Sequence, residues 1–182
     1  MTQSVYETSR LRVVEAASVD LEALLEVYLS NPRTLAITEG SAGEPGRYDR
    51  GMLERDLWIA GMEPERTAAA LMLSSSDEPV GAIDWVERHP ERDIPWLGML
   101  MLHADHQRQG LGREALDGLA AHGRARGWKS LGAGCLSDDS RAAAFLTACG
   151  LMRTGETAHQ FAAGTRRVAL WWLELAPGSV TV

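Results

Sequence analysis

The hydrophobic positions of this chain change period several times, and the changes divide it into elements. Residues 11–15 alternate apolar and polar and predict a first strand. Residues 20–29 place apolar side chains at helical spacing, with Ser18 or Asp20 available as the cap and Asn31-Pro32 as the stop. Residues 38–50 hold three glycines and one proline and read as a loop. A second helix is expected over 50–62, with Leu53, Leu57 and Trp58 toward one face. The period then shortens. Residues 67–73, 80–86 and 96–102 read as three strands of a meander, joined by polar connections. A helix follows over 113–126, with Gly127 in C-cap position. Then come a strand over 128–136, a helix over 140–149 closed by Gly150, and a hairpin over 157–161 and 167–175. Residues 176–182 read as a loose tail. The order predicts an α/β (mixed α+β) fold: a central, mostly antiparallel mixed sheet of about seven strands flanked by four helices. One domain is expected over 1–182.

Composition narrows the function. A formal net charge of -7 argues against nucleic acid as a partner and favours cationic or neutral substrates. No apolar run reaches the roughly 18 residues of a membrane span. Met1-Thr-Gln-Ser lacks the basic and apolar regions of a targeting signal. With Cys135 and Cys149 as the only thiols, a reduced, cytoplasmic protein is expected. The cysteines and histidines are scattered, so no metal site is indicated. Trp171 and Trp172 point opposite ways on a strand, so one is free for a pocket or for a subunit interface such as that of a homodimer.

The most informative segment is Gln107-Arg108-Gln109-Gly110-Leu111-Gly112. It lies between a strand and a helix start, where unpaired N–H groups and the helix dipole accept an anion, most often phosphate. The P-loop pattern fails because no Lys follows Gly112. Gly110 to Ala115 does satisfy the dinucleotide pattern G-x-G-x-x-A, but a polar segment separates the strand from the first glycine. Gln107, Gly110 and Gly112, with the strand before them and the helix after, resemble the central motif of the GNAT superfamily of N-acetyltransferases. Asp139, Ala142, Phe145 and Gly150 resemble that family's second motif, and the order of elements agrees nearly end to end.

The resemblance implies the acyl-CoA N-acyltransferase fold, acetyl-CoA as co-substrate, an amine as acceptor and direct attack on the thioester. It implies that Gln107, Arg108, Gln109, Gly110, Leu111, Gly112 and Arg113 surround the pyrophosphate. Backbone groups of Leu100, Met101 and Leu102 would meet pantetheine and the acyl carbonyl, Leu102 supplying an oxyanion donor. Asp139 stands where the family commonly has Asn beside the cofactor arm. Leu146 stands where it commonly has the Tyr that protonates the leaving thiolate, and leucine has no proton to give. The general acid therefore stays open among Cys149, His159, His103, His106 and water. For the base, Asp84 and Glu87 are the best-placed carboxylates. Tyr28, Trp58, Trp85, Trp96 and Trp171 fall in the region that lines the acceptor groove in this architecture. The alternative from another class is a non-catalytic acyl-CoA-binding or sensing protein, with a dinucleotide-dependent oxidoreductase third.

Overall fold

The computed structural model describes residues 3–175; the expected tail over 176–182 lies outside the described residues. The elements run β1 (Ser4–Glu7), β2 (Leu11–Glu15), α1 (Leu21–Leu29), α2 (Pro32–Thr38), α3 (Arg50–Met62), β3 (Arg66–Leu73), β4 (Pro79–Val86), β5 (Trp96–Leu102), α4 (Leu111–Ala125), β6 (Ser130–Leu136), α5 (Ser140–Ala148), β7 (Met152–Phe161) and β8 (Gly164–Glu174). The strands form one sheet in the order β1-β2-β3-β4-β5-β6-β8-β7, antiparallel except for β5 against β6.

Side-chain alternation along the strands makes two cores. Val13, Leu71, Ile83 and Trp85 face one way and pack with Leu116 and Leu119 of α4 and Leu146 of α5. Val14, Ala70, Met72 and Ala82 face the other way and pack with Leu24, Leu35 and Leu53 from α1, α2 and α3. Helices therefore cover both faces at the centre of the sheet, while β7 at its far edge is largely exposed.

Two elements exceed the sequence expectation of seven strands and four helices. β1 is four residues long, too short for a period to register. Tyr6 in it is buried, and its hydroxyl donates to the Ala115 carbonyl at 2.8 Å, pinning the edge strand to α4. Pro32, read as a stop, instead occupies the first turn of α2, where its fixed φ and missing N–H suit a helix start. Asp20, Asp49 and Asp139 cap α1, α3 and α5, each carboxylate accepting first-turn backbone N–H groups. Trp58 departs from its expected place: it is 65% exposed while Leu53 on the same helix is buried.

Candidate functional site

The site is a break in the sheet. β5 and β6 pair only at Trp96 with Gly132 and at Leu97 with Ala133. Beyond that, β6 stays on β8 while β5 stays on β4, and the two strands part. The next residue on β5 explains where they part. Leu97 pairs with Trp85 and Met99 with Asp84, so Gly98 is an extra, unpaired residue, a β-bulge that sharpens the local twist. A Cβ at Gly98 would lie 2.6 Å from Asp84 Oδ1, so the bulge also needs a residue without a side chain.

The ladder decides which backbone groups face the gap. His103 N–H donates to the Val80 carbonyl at 2.8 Å, which makes 80/103 a hydrogen-bonded pair. Antiparallel pairs alternate, so Met101 and Met99 turn their groups to β4 while Leu100 and Leu102 turn theirs toward the gap. The expectation of three consecutive contributors is thus corrected for Met101, whose backbone is spent on β4. Its side chain instead lines a cavity on the α1–α3 face. The Leu102 carbonyl is already taken: Asn31 Nδ2 donates to it at 2.9 Å and Gln107 Nε2 at 3.1 Å. Gln107 Nε2 also donates to Asn31 Oδ1 at 3.0 Å. The motif glutamine therefore ties the end of β5 to the α1–α2 junction rather than reaching outward. Asn31, read as a helix stop, is part of this tie.

The turn itself has two left-handed residues, Arg108 at φ 64 and Gly110 at φ 82. Alternation of this kind curls successive N–H groups into an anion-binding nest. Gly110 is the N-cap of α4 and supplies no side chain to it; among the described residues no internal acceptor takes the N–H groups of Leu111, Gly112 or Arg113. Leu111 is buried and anchors the helix start. At Gly112 an added Cβ would lie 3.5 Å from both Leu102 and Phe145, an ordinary contact distance, so the start of α4 packs beside β5 and α5 without requiring a glycine there. Gln109 Nε2 donates to the Asp105 carbonyl at 2.8 Å, bracing the turn from inside. Arg108 and Arg113 are exposed, the latter 3.6 Å from Asp117.

Two cavities open from the break and share Thr34, Thr38 and Gly98. One, about 600 Å³, follows the parted strands past Trp96, Gly134, Cys135 and Leu136 to Asp139 and Ala142. Its outer wall carries Arg33, His89, Arg92 and His159 against Glu91. The other, about 370 Å³, lies over β3 and β4 and is lined by Tyr28, Glu39, Asp56, Arg66 and Asp84 among others. Asp84 is buried at 7% exposure; Arg66 Nε donates to its Oδ2 at 2.8 Å. Burial raises its pKa, and the guanidinium opposes the rise. Tyr28 stacks on Tyr48 at 6.0 Å, and its pKa is raised by burial first and then by Asp84 and Asp56.

Other expected residues fall elsewhere. Cys149 is buried in the α4-side core beside Leu146 and lines neither cavity. Burial raises its pKa further, so it is a packing thiol. Glu87 accepts from Trp128 Nε1 at 2.7 Å and pairs with Arg126 at 3.0 Å, away from both cavities. Trp85 is in the core. Asp139 lines the larger cavity, with its carboxylate already accepting from Ala142 N–H at 2.9 Å. The thiol that does reach the larger cavity is Cys135, which accepts from Trp171 Nε1 at 3.2 Å; no sequence pattern marked it. Nor did any mark Arg10, whose guanidinium stands beside Gly110.

A bulged strand parts from its parallel neighbour beside an open helix start, which differs from a nucleotide sheet whose strand runs straight into its glycines. Comparison with known proteins gives the family. The acetyltransferase (GNAT) family model matches residues 23–151, and the chain belongs to that family. No curated protein matches it. Among solved structures it resembles an acetyltransferase from Thermus thermophilus with 26% identity and TM-score 0.73, over 95% of this chain and 100% of that one. It shares its fold with RimL, a ribosomal L7/L12 alpha-N-protein acetyltransferase in complex with coenzyme A, at 14% identity and TM-score 0.78, over 95% and 98%. It likewise shares it with spermidine N-acetyltransferase from Vibrio cholerae in complex with CoA and spermine, at 13% identity and TM-score 0.69, over 93% and 98%.

Proposed function

We propose that the protein transfers the acetyl group of acetyl-CoA to a primary amine by direct attack on the thioester. The observation that carries this is the parting of β5 from β6 at Gly98, which turns Leu100 and Leu102 backbone groups into a gap leading from the Gly110 nest. Pantetheine pairs with those groups as a missing strand would, and pyrophosphate rests on the turn. The N–H of Leu100 or Leu102 receives the charge that develops on the carbonyl oxygen; Leu102 N–H is the candidate named by the motif.

The two cavities divide the substrates. The arginine- and histidine-walled one follows the parted strands and suits the donor. The smaller one holds three carboxylates against one guanidinium and suits a cationic amine. The two meet at Gly98, where amine and thioester come together. Asp84 receives the proton of the attacking amine, directly or through water. The thiolate takes a proton from water or from His159, since Leu146 is buried and has none to give. The spermidine that names one fold neighbour is a polyamine of the cationic kind this cavity fits. The acceptor is a small amine or the amino end of a peptide, and the protein works in the cytoplasm.

Calorimetry with acetyl-CoA, CoA and NADH tests the donor, and release of CoA thiol, followed with DTNB across an amine panel, tests the transfer. Binding of NADH without CoA would sink the reading. Tight CoA binding with no thiol release on any amine favours the second reading, a non-catalytic acyl-CoA sensor, for which the loss of the tyrosine at position 146 is the specific observation.

A further inference from the structure

The cofactor turn is gripped from outside the region that matches the family. The link between β1 and β2, Thr8-Ser9-Arg10, precedes residue 23, where the match begins. It closes on Glu114 in the first turn of α4. One carboxylate oxygen accepts from Thr8 Oγ1 at 2.7 Å, Ser9 Oγ at 2.9 Å and Arg10 N–H at 2.7 Å. The other accepts from Arg10 Nε at 2.6 Å. Arg10 Nη1 donates to the Gln109 carbonyl at 3.1 Å. With Nε and Nη1 committed, the planar guanidinium is fixed in orientation, and Nη2 stands 3.4 Å from where a Cβ on Gly110 would be. No acceptor among the described residues engages Nη2. The side chain is half exposed, so this edge is open to a ligand arriving on the turn.

We propose that Arg10 is a phosphate-binding residue: the free edge of its guanidinium holds a phosphate group of acetyl-CoA against the Gly110 nest, and the β1–β2 hairpin is thereby part of the cofactor site. This rests on the turn being the CoA site. Three features support it. The uncommitted Nη2 group gives a charge-assisted hydrogen bond to a phosphate oxygen, and arginine keeps its charge at any working pH. Its aim is set before the ligand arrives, by Glu114 and the Gln109 carbonyl, so little side-chain entropy is left to lose. Finally, it stands at the glycine whose left-handed backbone opens the nest. Either the pyrophosphate or the ribose 3′-phosphate meets this chemistry, and the ligand series below separates them.

The experiment compares wild type, Arg10→Gln, Arg10→Lys and Glu114→Gln with acetyl-CoA, its 3′-dephospho form and acetyl-pantetheine, which has no phosphate. Calorimetry reads the first two ligands and protein-observed NMR titration reads the weak third; thermal melts confirm that each variant is folded. Arg10→Gln is expected to weaken acetyl-CoA about ten- to a hundredfold and to leave acetyl-pantetheine unchanged. Arg10→Lys recovers part of the loss, because it keeps the charge without the guanidinium orientation that Glu114 and the Gln109 carbonyl fix. An equal loss for the 3′-dephospho form places the contact on pyrophosphate; a loss confined to acetyl-CoA places it on the 3′-phosphate. Equal weakening of all three ligands would mean that Arg10 only shapes the loop, and no weakening of any would mean that it is idle; either overturns the proposal. If wild type itself binds no CoA, the functional reading fails first, so the two failures are distinguishable.

Discussion

Substituting Gly110 separates a turn from a binding turn. Its φ and ψ are 82° and -5°, and a Cβ built there meets only Arg10 Nη2, at an ordinary contact distance of 3.4 Å. An added methyl therefore clashes with nothing in the free protein. The cost is conformational: an L-residue in the left-handed region loses roughly 1–2 kcal/mol, a β-branched one more, and asparagine least. For a chain of this size each kcal/mol shifts Tm by about 2–4 °C, so Gly110→Ala is expected to melt about 2–8 °C lower. Gly110→Val should melt lower still, and Gly110→Asn close to wild type. Affinity should follow a different order. A phosphate seated on the nest approaches this Cα, so every side chain obstructs it, and Asn, Ala and Val should all lose roughly tenfold or more in acetyl-CoA binding. The signature is Asn: stability kept, binding lost. Scanning fluorimetry and calorimetry on the four proteins measure both. If Gly110→Ala loses the expected stability but binds acetyl-CoA like wild type, no phosphate rests there and the site assignment is wrong.

Glu114 makes stability sensitive to acid. Burial raises its pKa, but hydrogen bonds from Thr8, Arg10 and Ser9 outweigh that and hold it at about 2 rather than 4.5. A depressed carboxyl stabilises the fold above its unfolded pKa and stops doing so as pH falls toward the folded one. Chemical denaturation should therefore show wild type losing stability between about pH 4.5 and about pH 2, and Glu114→Gln losing less across that window; identical slopes would refute it. Arg66→Ala leaves Asp84 buried without its cation, which is expected to cost up to about 3 kcal/mol at neutral pH. Because loss of Arg66 lifts an already raised carboxyl pKa, the deficit should shrink as Asp84 protonates in acid; a pH-independent deficit would count against the pair. Cys135 should react with a thiol reagent, and acetyl-CoA should slow the reaction, while Cys149 stays unreactive in the folded state; mass spectrometry of the labelled peptides distinguishes the two. Gly123→Ala forces a Cβ to within 2.1 Å of the Trp128 ring and should lower Tm by several degrees, with refolding yield as a second measure.

The sequence carried the long, strongly periodic elements well. α3 and β5 have the bounds expected from hydrophobic spacing, and Gly127 takes the left-handed conformation that a helix C-terminus asks of it. What escaped was set by tertiary contact. β1 exists because Tyr6 has Ala115 to bond and β2 to lie against, and neither is visible in four residues. Helical spacing groups Trp58 with Leu53 and Leu57, yet it lies at the border of that face and α3 turns it to solvent. The shape of the turn before α4 was legible because its glycines mark backbone geometry, and Gly110 takes the left-handed conformation there. Proton-transfer groups were not, because their competence depends on what lies near them: Cys149 and Glu87 have suitable atoms, but their surroundings are core in one case and a Trp128–Arg126 clasp in the other. Of the two carboxylates weighed as the base, Asp84 lines a cavity and Glu87 does not.

Asn31 joins regions that would otherwise be separate. Its side chain bonds Val27 in α1, the Leu102 carbonyl at the end of β5 and Gln107 at the mouth of the cofactor turn. The helices that wall the smaller cavity are thus tethered to β5, the strand beside the larger one. Were an amine bound in the smaller cavity to shift α1 or α2, as the proposed function would have it, Leu102 and Gln107 would move with it and the two substrates would share a free energy of interaction. Linkage then requires the exchange to run both ways: whatever acetyl-CoA does to amine affinity, the amine does equally to acetyl-CoA.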